Sequence, residues 1–300
     1  MGGESWRGNT AKALAEWDGT IISAVVPGCQ TAASGSPHHE WPLAAVAAAA
    51  QRRQQCDNSG HPIKSIGCSP MSDISGFING FSRFQEKYFS AGQYLYDQLR
   101  EGQKPKALII ACCDSRADPA IITDCDPGEL FVVRNVANLV PPYETGGGVH
   151  GVSSALEFGV KSLEVAHIIV LGHARCGGIS ALMHGALATP DSEFLAPWMR
   201  IARRARDDVL SRMVHAPVDS QVRALEQAAI VVSLENLLTF PWIKERVEAG
   251  RLLLHGWYFD LVHGALWGYD ATSGRFEALV KGRTQPEQPE LFTNSRLERP

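Results

Sequence analysis

Three short apolar runs constrain this chain more than any other feature: KALIIACC (106–113), ELFVV (129–133) and AHIIVLG (166–172). None alternates apolar with polar residues, and each is stopped abruptly by polar ones. A strand with one wet face alternates; a strand buried on both faces does not. The spacers between the runs are long enough for crossover helices. In GGGVHGVSSALEFGVKSLEV, for example, Val152, Leu156, Val160 and Leu163 recur on one side. Strands alternating with helices predict an α/β fold, a central, mostly parallel β-sheet flanked by helices. RLLLHGWYFD reads as a fourth buried strand, and GALWGYDATSGRFEAL as two short strands around a glycine-containing turn, which predicts an antiparallel edge.

Helices are predicted on both sides of this core. Ile74, Phe77, Ile78, Phe81, Phe84 and Tyr88 recur at three- and four-residue steps, with Asp73 as N-cap. SAGQYLYDQLREG follows and ends at Gly102. Residues 194–213 and 219–240 read as two long helices, and PWIKERVEAG as a third that opens on Pro241 and closes at Gly250. The basic run RIARRAR reads as a solvated helix face.

Residues 1–70 mix Ala, Ser, Gly, Gln and His, with LAAVAAAAQRRQQ the one helical-looking piece. They read as a disordered extension, or as a start placed too early, with Met71 the true beginning. TIISAVVPGC ends at Cys29 like a lipoprotein signal, but acidic residues precede it where a signal needs positive charge. Residues 71–282 form a single α/β domain, and 283–300 a Pro- and Glu-rich tail. A net charge of −4 leaves no electrostatic footprint for nucleic acid or an anionic membrane. No apolar run is long enough to span a bilayer. Seven scattered cysteines do not form a disulfide framework and point to a reducing, cytoplasmic location.

In open parallel sheets, function gathers beyond the carboxyl ends of the strands. Two strands here end in metal-ligand types: Cys112 and Cys113 on one, His173 with Cys176 on the other. Neighbouring strands would bring them together. Two thiolates and one imidazole suit zinc, and three protein ligands leave a fourth position open, as catalytic zinc requires.

CCDSR (112–116) paired with HARCGG (173–178) resembles the β-class carbonic anhydrases. The resemblance covers roughly residues 71–280, and GELFVVRNVAN and LLLHGWYFDLVHGAL fit it too. It implies a zinc-dependent, reversible hydration of carbon dioxide to bicarbonate and a proton, by attack of a zinc-bound hydroxide. It implies one Zn²⁺ per chain on Cys112, His173 and Cys176. It also implies a homodimer or higher homo-oligomer, with the N-terminal helical arm packing on a dimer partner. Asp114 would accept a hydrogen bond from the attacking water, and Arg116 would pair with Asp114. Gln103, Phe131, Val136, Phe158 and Gly177 would bind substrate, some from across the dimer interface. Strand alternation puts Cys113 on the other side from Cys112 and Asp114, as a small residue and no ligand. Some members carry a Trp and a Tyr at a second, inhibitory bicarbonate site; the matching residues here are Ile109 and Phe158, which argues against that control. Two alternatives remain open on sequence: a carbonyl sulfide or carbon disulfide hydrolase on the same scaffold, and a non-catalytic structural zinc protein with a closed four-ligand site.

Overall fold

The computed structural model describes residues 74–146, 148–187 and 192–283. The expectations for residues 1–70, for Asp73 as a cap and for the tail beyond 283 lie outside the described residues. Six strands form one sheet: β1 (Ala107–Cys112), β2 (Leu130–Asn135), β3 (His167–His173), β4 (Leu253–Asp260), β5 (Ala265–Asp270) and β6 (Arg275–Val280), in the order β2-β1-β3-β4-β5-β6. The first four run parallel; β5 and β6 turn back antiparallel and form one edge. The fold is therefore the mixed, mostly parallel α/β sheet that the apolar runs predict.

Every residue of β1 is buried, and β3 is buried from Ile168 onward. Alternate side chains serve two cores. Leu108, Ile110, Ile168 and Val170 join one cluster with Leu156, Val160 and Ile230. Ile109, Ala111, Ile169 and Leu171 join the other, against Ile122, Trp257 and Phe259. A third cluster lies under the carboxyl ends of the strands and holds Cys112, Cys176, Leu139, Met199 and Ala229. Each fully buried Leu or Ile contributes about 1.5–3 kcal/mol.

The helices in chain order are α1 (Ser75–Phe89), α2 (Leu95–Leu99), α3 (Pro119–Thr123), α4 (Gly151–Glu157), α5 (Gly177–Met183), α6 (Leu195–Met199), α7 (Arg203–Arg212), α8 (Val218–Leu237) and α9 (Pro241–Glu248). The apolar stripe of α1 forms as expected, but it is not covered: Ile74, Phe77, Ile78 and Phe81 are exposed. Its carboxyl end is anchored by ring contacts of Phe84, Tyr88 and Phe89 with Tyr96 of α2. The single helix expected over 194–213 is interrupted. A 3₁₀ turn at Arg200–Ala202 separates α6 from α7. Its three-residue period lines up Met199, Ala202 and Ala205, all buried. α4 likewise widens into a π turn at Phe158–Ser162.

α8 is the central helix. It lies against β3 and β4 at two glycines on neighbouring strands. A Cβ at Gly172 would stand 2.7 Å from Ile230 Cδ1; one at Gly256 would stand 2.9 Å from Ile230 Cγ2 and from Leu234 Cδ1. The glycines form a notch, and the buried Ile230 fills it.

Candidate metal centre

Cys112 is the last residue of β1, in register with Asn135 of β2. The chain then turns sharply. Cys113 N–H donates to the Asn135 carbonyl at 2.8 Å, and Ala117 N–H to the Asp114 carbonyl at 3.0 Å. Asp118 caps α3 by accepting from Ala120 and Ile121 N–H. Arg134 on β2 fastens this loop with three bonds: Nε to the Cys112 carbonyl (3.0 Å), Nη2 to the Asp114 carbonyl (2.7 Å) and Nη1 to Asp118 Oδ2 (2.8 Å).

Arg116 grips Asp114 from both sides. Nε donates to Oδ1 at 2.9 Å and Nη2 to Oδ2 at 2.7 Å, the two-pronged geometry that guanidinium and carboxylate favour. The Arg116 N–H also donates to Oδ1. These hydrogen bonds hold the Asp114 carboxyl well below the usual carboxylate range. Arg116 Nη2 reaches the Arg175 carbonyl at 3.1 Å as well, so it ties the first loop to the second.

The second loop leaves β3 at His173, which is buried. Its Nδ1 donates to the Ala174 carbonyl at 2.9 Å. That bond places the proton on Nδ1 and leaves Nε2 a bare acceptor. Nε2 is buried and has no hydrogen-bond partner. Arg175 then takes a left-handed conformation, φ 56°, costly for a residue with a Cβ. The reversal brings Cys176 to the head of α5. Its N–H donates to Glu226 Oε1 at 3.0 Å, and Tyr258 O–H donates to Glu226 Oε2 at 2.8 Å. Burial pushes the Glu226 carboxyl up to about 6.

The donor atoms of Cys112, His173 and Cys176 all lie within 4.8 Å of one another, and all three residues are buried. The two sulfurs are 3.9 Å apart. Cys112 is pulled down to about 4, above all by its hydrogen bond with Cys176; that contact, with burial, pushes Cys176 up. An unpartnered, buried imidazole nitrogen beside two thiols fits a zinc ion. Asp114 Oδ2 lies 3.9 Å from His173 Nε2, too far for a hydrogen bond but close enough to face whatever this centre holds.

Val136 follows β2 directly and lines an apolar cavity of about 810 Å³ together with Cys113, Asn135, Leu195 and Trp198. Cys113 is exposed into it while Cys112 is buried. Gly178, not Gly177, is the glycine pressed by its surroundings. A Cβ at 178 would stand 2.8 Å from Val136 Cγ1, whereas one at 177 would meet nothing within 4 Å. Gln103, Phe131 and Phe158 are not brought to this centre within the chain. Gln103 precedes β1, at the opposite end from Cys112. Phe131 pairs with Leu108, four positions before Cys112, and packs on Phe158 at 5.8 Å. Sequence reasoning overlooked Arg134, Asp118, Glu226 and Tyr258. A charged residue inside an otherwise apolar run, as in ELFVVRN and ALEQAAIVV, is the signal that marks Arg134 and Glu226.

A family model described as carbonic anhydrase matches residues 107–266. A carbonic anhydrase of Pseudomonas aeruginosa is 39% identical over 211 residues, which cover 70% of this chain and 93% of that protein. Beta carbonic anhydrase 5, chloroplastic, of Arabidopsis thaliana is 41% identical over 182 residues, 60% of each chain. Among solved structures, the β-carbonic anhydrase CcaA superposes with a TM-score of 0.65 at 34% identity, covering 69% of this chain and 94% of the other.

Proposed function

The chain belongs to the carbonic anhydrases of the β class, and on that premise we propose that it catalyses the reversible hydration of carbon dioxide to bicarbonate and a proton. The observation that carries this reading is the convergence of Cys112, His173 and Cys176 around a bare imidazole nitrogen, with Asp114 held over them by Arg116. Cys112, His173 and Cys176 would hold one zinc ion per chain. Zinc, when bound, supplies the Lewis acidity that makes hydroxide available near neutral pH.

The protein's own part is orientation. Asp114, kept ionised, can only accept hydrogen bonds. Arg116 donates two hydrogen bonds to Oδ1 and one to Oδ2, which leaves a lone pair of Oδ2, the oxygen that faces His173, for a water proton. A water that donates to Asp114 is turned so that its lone pair points elsewhere, at the carbon to be attacked. Val136, which packs beside Gly178 two residues after Cys176, would offer an apolar wall suited to an uncharged substrate.

The uncovered apolar face of α1 supports a homodimer or higher homo-oligomer, in which Gln103, Phe131 and Phe158 would serve the partner's pocket. We place the protein in the cytoplasm, with a small-molecule substrate and neither nucleic acid nor membrane as partner. Its scattered cysteines, which form no disulfide framework, and its net charge of −4 support that reading.

The test is metal content and carbon dioxide hydration on one preparation, with carbonyl sulfide hydrolysis beside it. One zinc per chain and rapid hydration, lost when a chelator strips the metal, is the expected result. A zinc-loaded protein that hydrates carbon dioxide no faster than buffer, or that prefers carbonyl sulfide, would overturn the proposal.

A further inference from the structure

Glu226 stands out among the buried groups. It lies in the middle of α8, flanked by Ala224, Leu225, Ala228 and Ala229, and is 2% exposed. Removing a carboxylate from water is costly unless hydrogen bonds compensate. Here both oxygens are engaged, and neither partner belongs to α8. Oε1 takes the N–H of Cys176, 50 residues earlier in the chain. Oε2 takes the hydroxyl of Tyr258, 32 residues later. Tyr258 is itself fixed in the sheet, in register with Gly172, the residue before His173. One carboxylate therefore ties the central helix, the strand beside His173 and the loop that carries Cys176.

The loop needs such a tie. It passes through the left-handed Arg175, and Cys176 caps a helix of only seven residues. Nothing on α5 itself accepts the Cys176 N–H. The bond to Glu226 sets the height of that N–H, and with it the direction in which the Cys176 sulfur leaves the backbone.

We propose that Glu226, held by Tyr258, is a positioning residue that fixes the Cys176 sulfur at its distance from Cys112 and His173, and so sets how tightly this centre holds its metal. The inference rests on the metal-centre reading above. It works through hydrogen-bond geometry: an amide at 226 can still accept from Cys176 N–H while its NH₂ donates to the Tyr258 oxygen, whereas a methyl can do neither.

The experiment compares Glu226→Ala, Glu226→Gln and Tyr258→Phe with the wild-type full chain. Zinc affinity is measured by competition with a chromophoric chelator, and ligand geometry by the visible and thiolate charge-transfer bands of the cobalt(II) form. Glu226→Ala should weaken zinc binding by about 10–100-fold and broaden or shift the cobalt bands. Tyr258→Phe should do the same to a smaller degree, and Glu226→Gln should recover most of the affinity. If Glu226→Ala does not fold, Tyr258→Phe alone carries the test. Wild-type affinity and cobalt spectra in Tyr258→Phe and any folded Glu226→Ala would overturn the proposal. So would Glu226→Gln binding as poorly as Glu226→Ala. A wild-type chain that binds no stoichiometric metal would instead overturn the metal-centre reading, and that result appears before any variant is made.

Discussion

Replacing Gly172 by Ala tests whether the close approach of α8 to the sheet is essential. The backbone at 172 is ordinary strand, so a methyl group adds no strain of its own. What it meets is Ile230. The new Cβ would lie 2.7 Å from Cδ1 and 2.8 Å from Cγ1, against roughly 3.5–4.0 Å for relaxed carbon contacts. One partner must give by about 1 Å. Ile230 has no free volume to retreat into, since it is fully buried and its Cγ2 already fills the notch at Gly256. Overpacking of this kind costs about 1–3 kcal/mol. The reduced freedom of the unfolded chain returns about 0.4–1 kcal/mol. The net loss is roughly 1–2 kcal/mol, which in a domain of this size lowers the melting temperature by about 2–8 °C. The assay is thermal unfolding of Gly172→Ala, Ile230→Val and the double variant. Ile230→Val alone costs about 0.5–1.5 kcal/mol. It also removes Cδ1, the nearest clashing atom, so the double variant should be more stable than the sum of the single losses predicts. A Gly172→Ala protein that melts at or above wild type, or a strictly additive double variant, would refute the notch.

Other expectations are quicker to check. Cys112→Ser should lose stoichiometric zinc, while Cys113→Ser should keep one zinc per chain and most activity; elemental analysis decides, and if the two exchange behaviour the ligand is Cys113. Asp114, depressed by Arg116, contributes stability above the ordinary carboxylate value near 4 and loses it only as pH falls through its folded value. The melting difference between wild type and Asp114→Asn should hold constant from pH 8 to about pH 5 and shrink below about pH 4. It should correspond to at most about 1 kcal/mol, because half of the Arg116 side chain is in solvent. Asp118→Ala removes both the α3 cap and the Arg134 ion pair and should cost about 1–2 kcal/mol in chemical denaturation. A chain beginning at Met71 should fold, bind zinc and retain activity; loss of zinc or of solubility would make residues 1–70 part of the fold.

The strands were readable because burial on both faces leaves an unmistakable composition, and β1 and β3 are buried on both. The grouping of Cys112, His173 and Cys176 was readable because Cys112 and His173 stand where such strands end. Short helices were not. α3 and α5 span less than two turns each, too few for a period to register, although Asp118-Pro119 is a sound start signal for the first. The break at Arg200–Ala202 was hidden because Met199, Ala202 and Ala205 fit a helical stripe nearly as well as a 3₁₀ one. Glu226 was missed for a different reason. A glutamate on a helix normally points to solvent, and only the residues 50 earlier and 32 later make its burial tolerable. Gln103, Phe131 and Phe158 lie away from the Cys112–His173–Cys176 group within one chain, because β1 and β2 carry Leu108 and Phe131 well before the ends where that group sits.

The brace proposed for Cys176 would also set an order of events during biosynthesis. Cys112, His173 and Cys176 leave the ribosome before either Glu226 or Tyr258, the latter being 32 residues beyond the former. At the ordinary pace of translation the interval from Cys176 to Tyr258 lasts on the order of ten seconds. Through that interval the nascent chain carries two thiols and an imidazole with no α8 behind them and no β4 beside them. Any metal captured then would be held by a slack set of donors, free to leave or to be exchanged. On the proposed brace, the centre would tighten only when Tyr258 emerges and β4 docks, so the order of the sequence would give the finished chain the last choice of ion.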